Sequence, residues 1–227
     1  MTNLLMLHDA HHSALVWRLV ANSLHPRWGI AAPDLFDAES LDAMVERIKR
    51  DAHNTGISDD GFIIVAPNEA AMPAIWACAD SDVPVQGVIL SRPVLKVSRS
   101  AVRAAKVKAS LAGRYAQREE LATRPQTAHY LGVLAAAASG DREVEGKLRA
   151  VKERFGATPI PVRVLNVEKA KPDAFARKLL GATFADLTGV DIAGAEADWF
   201  DYAAHLFAKN IEEFVSNVNE HKGQKDK

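Results

Sequence analysis

Phe62-Ile63-Ile64-Val65 constrains this chain more than any other segment. Four apolar, β-favouring residues in a row, bounded by Gly61 and Pro67, describe a strand covered on both faces. Such a strand needs helices above and below it, and the flanking sequence supplies them. Before it, Ser40 opens a segment with Leu41, Met44, Val45 and Ile48 at helical spacing; after it, Met72, Ile75 and Trp76 form another apolar stripe. Leu4-Leu5-Met6-Leu7, residues 29–34 and Val88-Ile89-Leu90 read as further strands. Ser13 opens a helix carrying Val16, Leu19, Val20 and Leu24. Strands and helices alternating on short links imply right-handed crossovers and a mostly parallel sheet.

Between residues 94 and 157 the rhythm stops, and the composition is helical without a clear strand. It resumes with a strand at 162–167, a helix near 172–180 and a weaker strand at 183–187. A helix with Phe200, Ala203, Ala204, Phe207, Ile211, Phe214 and Val215 on one face follows. The expected architecture is α/β: a doubly wound, mostly parallel sheet of about six strands. Its core spans 1–93 and 158–218, a helical cap is inserted at 94–157, and 219–227 is expected to be a disordered tail.

Hydrophobic residues at 48% and charged residues at 25% exclude a disordered chain, and 227 residues suffice for one sizeable core. A net charge of −1 gives no general attraction to nucleic acid or anionic lipid. A single cysteine, Cys78, excludes an internal disulfide and a cysteine-rich zinc site. No stretch is apolar enough to span a bilayer, and the first residues lack a basic leader, so a cytoplasmic location is expected. No Gly-x-Gly-x-x-Gly follows the first strand and no Gly-Lys-Ser loop occurs; no cofactor and no metal is expected.

The order of segments resembles the α/β-hydrolase family. Leu4-Leu5-Met6-Leu7-His8 stands where that family has a strand followed by His-Gly, and Trp17 lies at the usual distance in the next helix. Ala32-Pro33-Asp34-Leu35 is similar to its Pro-Asp-Leu segment, and residues 63–71 fall where a strand enters the nucleophile elbow. The resemblance places the cap at 94–157. It also exposes a mismatch. The elbow pattern Gly-x-Ser-x-Gly reads here Ala66-Pro67-Asn68-Glu69-Ala70, and a carboxamide is no nucleophile at neutral pH. The best register puts Ala170 at the family's aspartate, and residues 188–204 contain no histidine. An ordinary serine hydrolase is not expected.

Four groups of residues carry the remaining chemistry. His8-Asp9-Ala10-His11-His12 occupies the loop that, by resemblance, donates an oxyanion N–H; His11 and His12 are the acid–base candidates. A metal held by His8, Asp9 and one of these two is an alternative, and solvated loop histidines are another. Asn68 and Glu69 either project into a pocket or begin an ordinary helix with Asn68 as its cap. Arg92 ends the fourth strand and either clamps a carboxylate or pairs with Asp9, Asp34 or Glu69. Residues 96–124 carry eight basic side chains against two acidic ones, whereas residues 1–95 carry six against twelve. Arg99, Arg103 and Lys106 share one helix face, with Val97, Ala101, Ala104, Val107 and Leu111 able to turn inward. That segment is either a solvated face or a surface for an acidic partner.

These features predict an α/β-hydrolase-like protein without the hydrolytic triad. It binds a small carbonyl- or carboxylate-bearing molecule between core and cap, in a pocket lined by His8, Asp9, Ala10, Asn68, Glu69 and Arg92. The alternatives are a non-hydrolytic catalyst (a lyase, isomerase or cyclase) and a hydrolase with its nucleophile moved to Ser91 or Ser13.

Overall fold

The computed structural model describes residues 2–112, 124–137, 141–167, 173–193 and 199–225. The strands are β1 (Asn3–Met6), β2 (Gly29–Ala31), β3 (Phe62–Pro67), β4 (Val85–Ser91), β5 (Val162–Val167) and β6 (Leu187–Ile192). They pair in parallel throughout, in the order β2-β1-β3-β4-β5-β6. The helices are α1 (Arg18–Ser23), α2 (Leu41–Asn54), α3 (Ala71–Ala79), α4 (Arg99–Ala112) and α5 (Arg124–Ala137). They continue with α6 (Asp141–Phe155), α7 (Ala174–Thr183), α8 (Trp199–Tyr202) and α9 (Ala204–Lys225).

Side chains alternate across the central strands, so the sheet separates two cores. Leu5, Ile64, Ala66, Val88 and Leu90 face a layer that includes α2, α3, α6 and α7. Leu4, Met6, Ile63, Val65, Ile89 and Leu165 face α1 and α9, where Trp17 packs against Phe200 and Phe207 at ring separations of 5.4 and 5.6 Å. The chain leaves β1 toward the second layer and leaves β3 toward the first. Two adjacent parallel strands whose connections part in this way open a crevice at their carboxyl ends, the usual ligand site of such sheets.

Four expectations about local structure change. The last strand runs from Leu187 to Ile192 rather than over 183–187, because Phe184 closes α7 by accepting a place in the core and the alternation Leu187, Gly189, Asp191 begins only afterwards. The Asp141–Phe155 helix lies within the sheet's own helical layer, packed on α3 and α7 through Val144, Leu148 and Val151. On α4, Val102 and Ala105 turn inward while Ala101, Ala104 and Val107 stay exposed, a register one residue off the expected stripe; Arg99, Arg103 and Lys106 are exposed together. The final helix continues through Lys225, so the tail expected to be disordered from 219 is helical over its described length. Val215 and Val218 anchor it, and the residues beyond are mostly helix formers.

Helix α4 packs on α5, and α5 reaches the loops after β1 and β2. The Tyr130 hydroxyl donates to the His8 carbonyl at 3.2 Å, and His129 Nε2 donates to the Ala38 carbonyl at 3.0 Å.

Candidate functional site

Strand β3 ends at Pro67, and Asn68 takes φ 49° before a single 3-10 turn leads into α3. This is a left-handed conformation that asparagine tolerates better than most residues with a Cβ. The turn is braced by its Asn68 carbonyl, which accepts the Val94 N–H at 3.0 Å. The sharp strand-to-helix turn therefore survives without its flanking glycines; Ala66 and Ala70 are both fully buried beside it. Asn68 is not a helix cap, because its amide is used elsewhere. Nδ2 donates to Asp9 Oδ2 at 2.5 Å, and Oδ1 accepts Arg92 Nε at 3.0 Å.

Asp9 is the hub of the group. It is fully buried, and its Oδ1 accepts the His11 N–H at 2.9 Å, the His12 N–H at 3.1 Å and His12 Nδ1 at 2.8 Å. Burial alone would raise its pKa; the His12 hydrogen bond and charge, with the Asn68 and His11 donors, outweigh that and hold the carboxyl below its usual range. Asp9 thus organises the loop. His12 also meets the edge of Phe200 at 5.3 Å.

His8 is a loop brace. Its Nε2 accepts the Leu35 N–H at 2.9 Å, which places the ring proton on Nδ1 for donation to the Asp9 carbonyl at 2.9 Å. Both nitrogens are occupied, so the metal set built on His8 does not fit the geometry. Ala10 is buried beside it, and His11 is exposed.

Arg92, like Asn68, takes φ 49° at the end of its strand, with its N–H donating to the Leu165 carbonyl at 3.0 Å. The structure thus holds two non-glycine residues left-handed at adjacent strand ends and joins their side chains. Arg92 does not bond Asp9, Asp34 or Glu69: the short reach from the β4 end brings Nε to the Asn68 amide first, and its other N–H groups bond nothing among the described residues.

Glu69 is the unsettled member. Its Oε2 is buried without a hydrogen-bond partner. Burial pushes its carboxyl up, and the Asp9 charge pushes it further, against smaller opposing pulls from its own N–H, His11 and Arg92. Two neighbouring carboxyls thus shift in opposite directions: Asp9 downward because it has the donors, and Glu69 upward because burial and the Asp9 charge prevail. Tyr130, whose hydroxyl burial also pushes upward, stands close enough to feel both. It was not singled out from sequence, although it is the one aromatic in an otherwise alanine-rich helix.

Comparison with known proteins adds the fold's relatives. No family model matches the chain, and no curated protein matches it in sequence. A loop variant of a haloalkane dehalogenase from Bradyrhizobium elkanii superposes with TM-score 0.71 at 15% identity, covering 99% of this chain and 92% of that one. MenH from S. aureus superposes with TM-score 0.66 at 12% identity, covering 96% and 94%. The thioesterase domain from the curacin biosynthetic pathway gives 0.64 at 15% identity, covering 93% and 91%. The fold is that of the α/β hydrolases.

Asn68 stands at the turn between β3 and α3, the position at which the sequence resemblance expects the nucleophile elbow. Ala170, placed by sequence at the acid position, lies outside the described residues, as do residues 194–198 beyond β6. Neither relocated nucleophile gains support. Ser91 is buried and its Oγ accepts the Trp199 indole N–H at 3.0 Å; Ser13 begins a 3-10 turn without capping it. Cys78 is fully buried, and burial pushes its thiol up to about 12.

Proposed function

We propose that this protein keeps the α/β-hydrolase fold without hydrolytic chemistry and binds a small carbonyl- or carboxylate-bearing molecule at the carboxyl ends of β1, β3 and β4. The observation that carries the reading is Asn68: the elbow keeps its left-handed backbone, but the side chain is an amide bonded on both sides. Hydrolysis needs an attacking group, a base and donors aimed at a developing oxyanion. Here the elbow offers no nucleophile, and the neighbouring Asp9 carboxylate opposes negative charge. The fold itself does not choose a function, and its structural neighbours carry several different names. What supports ligand binding is Arg92, whose unbonded N–H groups stand beside the rigid amide, ready for a planar anion.

A second reading is supported by Glu69. A buried carboxyl with a raised pKa and an unpartnered Oε2, near the exposed His11, is suited to donate a proton to a carbonyl in a lyase, isomerase or cyclase reaction. One experiment separates the readings from each other and from hydrolysis. The protein should resist a fluorophosphonate probe and leave aryl esters intact, while acetate shifts the Arg92 side-chain resonances. Stoichiometric serine labelling would overturn the first reading. Turnover of a carbonyl substrate lost in Glu69→Gln would favour the second.

A further inference from the structure

On the far side of Arg92 the structure contains a cavity of about 210 Å3 between β5, β6 and α7. Its apolar walls are Pro93, Val164, Leu180 and Leu187, and Arg92 and Arg177 line it as well. The volume falls below the roughly 300 Å3 of the smaller drug-sized pockets, which restricts the occupant to a small molecule. Arg177 makes no side-chain hydrogen bond among the described residues, and Arg92 spends only Nε on Asn68. Among the described residues that line the cavity the one acid is Asp173, whose Oδ1 caps α7 by accepting the Phe175 and Ala176 N–H groups at 2.9 and 3.3 Å.

Gly189 tells the same story from the opposite wall. It lies inside β6, pairs with Val164 and shares a sheet face with Leu187. Glycine weakens a strand interior, so its presence needs a reason. Backbone conformation supplies none, since its φ is not positive. Packing supplies none, since a Cβ there would meet only Asn166 Nδ2 at an ordinary 3.6 Å. The missing side chain leaves open space on the cavity side, as glycine does where a ligand approaches a strand closely.

We propose that this cavity binds a small carboxylate with an apolar body, its head met by the Arg92 and Arg177 guanidinium groups and its body lying against Val164, Leu180, Leu187 and Gly189. The proposal rests on the carboxylate reading of Arg92 and extends it by assigning where the rest of the ligand goes.

Titration calorimetry with hexanoate, hexanamide, acetate and inorganic phosphate tests it. Hexanoate should bind at least tenfold tighter than acetate or hexanamide, and phosphate should not displace it. Gly189→Ile fills the space at a position whose backbone accepts any residue, and should weaken hexanoate at least tenfold while leaving acetate unchanged. Arg177→Gln should weaken hexanoate severalfold. Should Gly189→Ile fold normally and bind hexanoate as tightly as the parent, the cavity is wrong. Acetate binding that depends on Arg92, with no gain for hexanoate, overturns the cavity and spares the wider reading. If neither acid binds, both fall.

Discussion

The Asn68 amide donates to Asp9 across 2.5 Å, joining the turn after β3 to the loop after β1 at the point where the sheet's connections diverge. Both groups are buried, so this bond operates where water cannot replace it. Asp9 then fixes the backbone of His11 and His12, and Asn68 fixes Arg92. The candidate site is therefore one connected polar network.

Asp9→Asn should be strongly destabilising. The amide keeps the shape but cannot accept from four donors as a carboxylate does, and one buried N–H would face another. A cost of about 3 kcal/mol is expected from breaking a buried charged network. The sign of the pH dependence follows from the depressed carboxyl: its stabilisation is complete above the ordinary aspartate range and is lost as pH falls through it. Urea unfolding of the parent should weaken on acidification, and Asp9→Asn should flatten that part of the profile. An unchanged profile would remove Asp9 as the hub.

Asn68 separates strain from bonding. Asn68→Gly removes both hydrogen bonds but accepts φ 49° freely, whereas Asn68→Ala removes them and adds the left-handed penalty. Asn68→Ala should be the less stable of the two by about 1 kcal/mol. Asn68→Ser should restore no esterase activity, since a hydroxyl there would face only the Asp9 carboxylate, a weak base with its pKa lowered, and no imidazole among the described residues bonds that position. Equal stability of the Gly and Ala variants would mean that the turn relaxes.

How much of this was legible beforehand depended on the range of the interaction. The first five strands followed from local apolar runs such as Phe62-Ile63-Ile64-Val65, their parallel pairing followed from the alternation with helices, and Ser40 caps α2 as its position suggested, accepting the Ala43 N–H at 3.0 Å. The site residues were named from the same order. Their wiring was not, because the Asp9–Asn68 bond joins residues 59 positions apart and nothing in either segment chooses Asn68 over Arg92 as the partner. The α4 face was missed for a related reason. An alanine-rich helix presents several equivalent stripes, and only the neighbouring helix selects one.

Glu69→Gln should stabilise the protein at high pH and change little at low pH. A carboxyl whose folded pKa is raised favours the fold fully below its ordinary range and loses that contribution as pH rises through the folded value. Glutamine keeps the size without the charge. Thermal unfolding of the two proteins should coincide near pH 4 and separate by about pH 8, the variant melting higher. The reverse order would mean that Glu69 is ionised and paired.

Arg154 offers a test of the core away from the site. Its guanidinium reaches from the end of α6 into the turn between α3 and β4, donating to the carbonyls of Cys78 at 3.0 Å, Ser81 at 3.3 Å and Val83 at 2.6 Å, and also to that of Asp80. These carbonyls lie at and beyond a helix C-terminus, where a cation is favoured by the helix dipole as well as by hydrogen bonding. The group also stacks over Phe155 at 4.7 Å. Because it is only partly buried, water offsets much of the gain, and Arg154→Ala should cost about 2 kcal/mol. Arg154→Lys should recover less than half of that, since an ammonium cannot span four carbonyls with one planar fork. Urea unfolding of the three proteins decides it. If Lys restores full stability, the charge alone matters and the fork geometry does not.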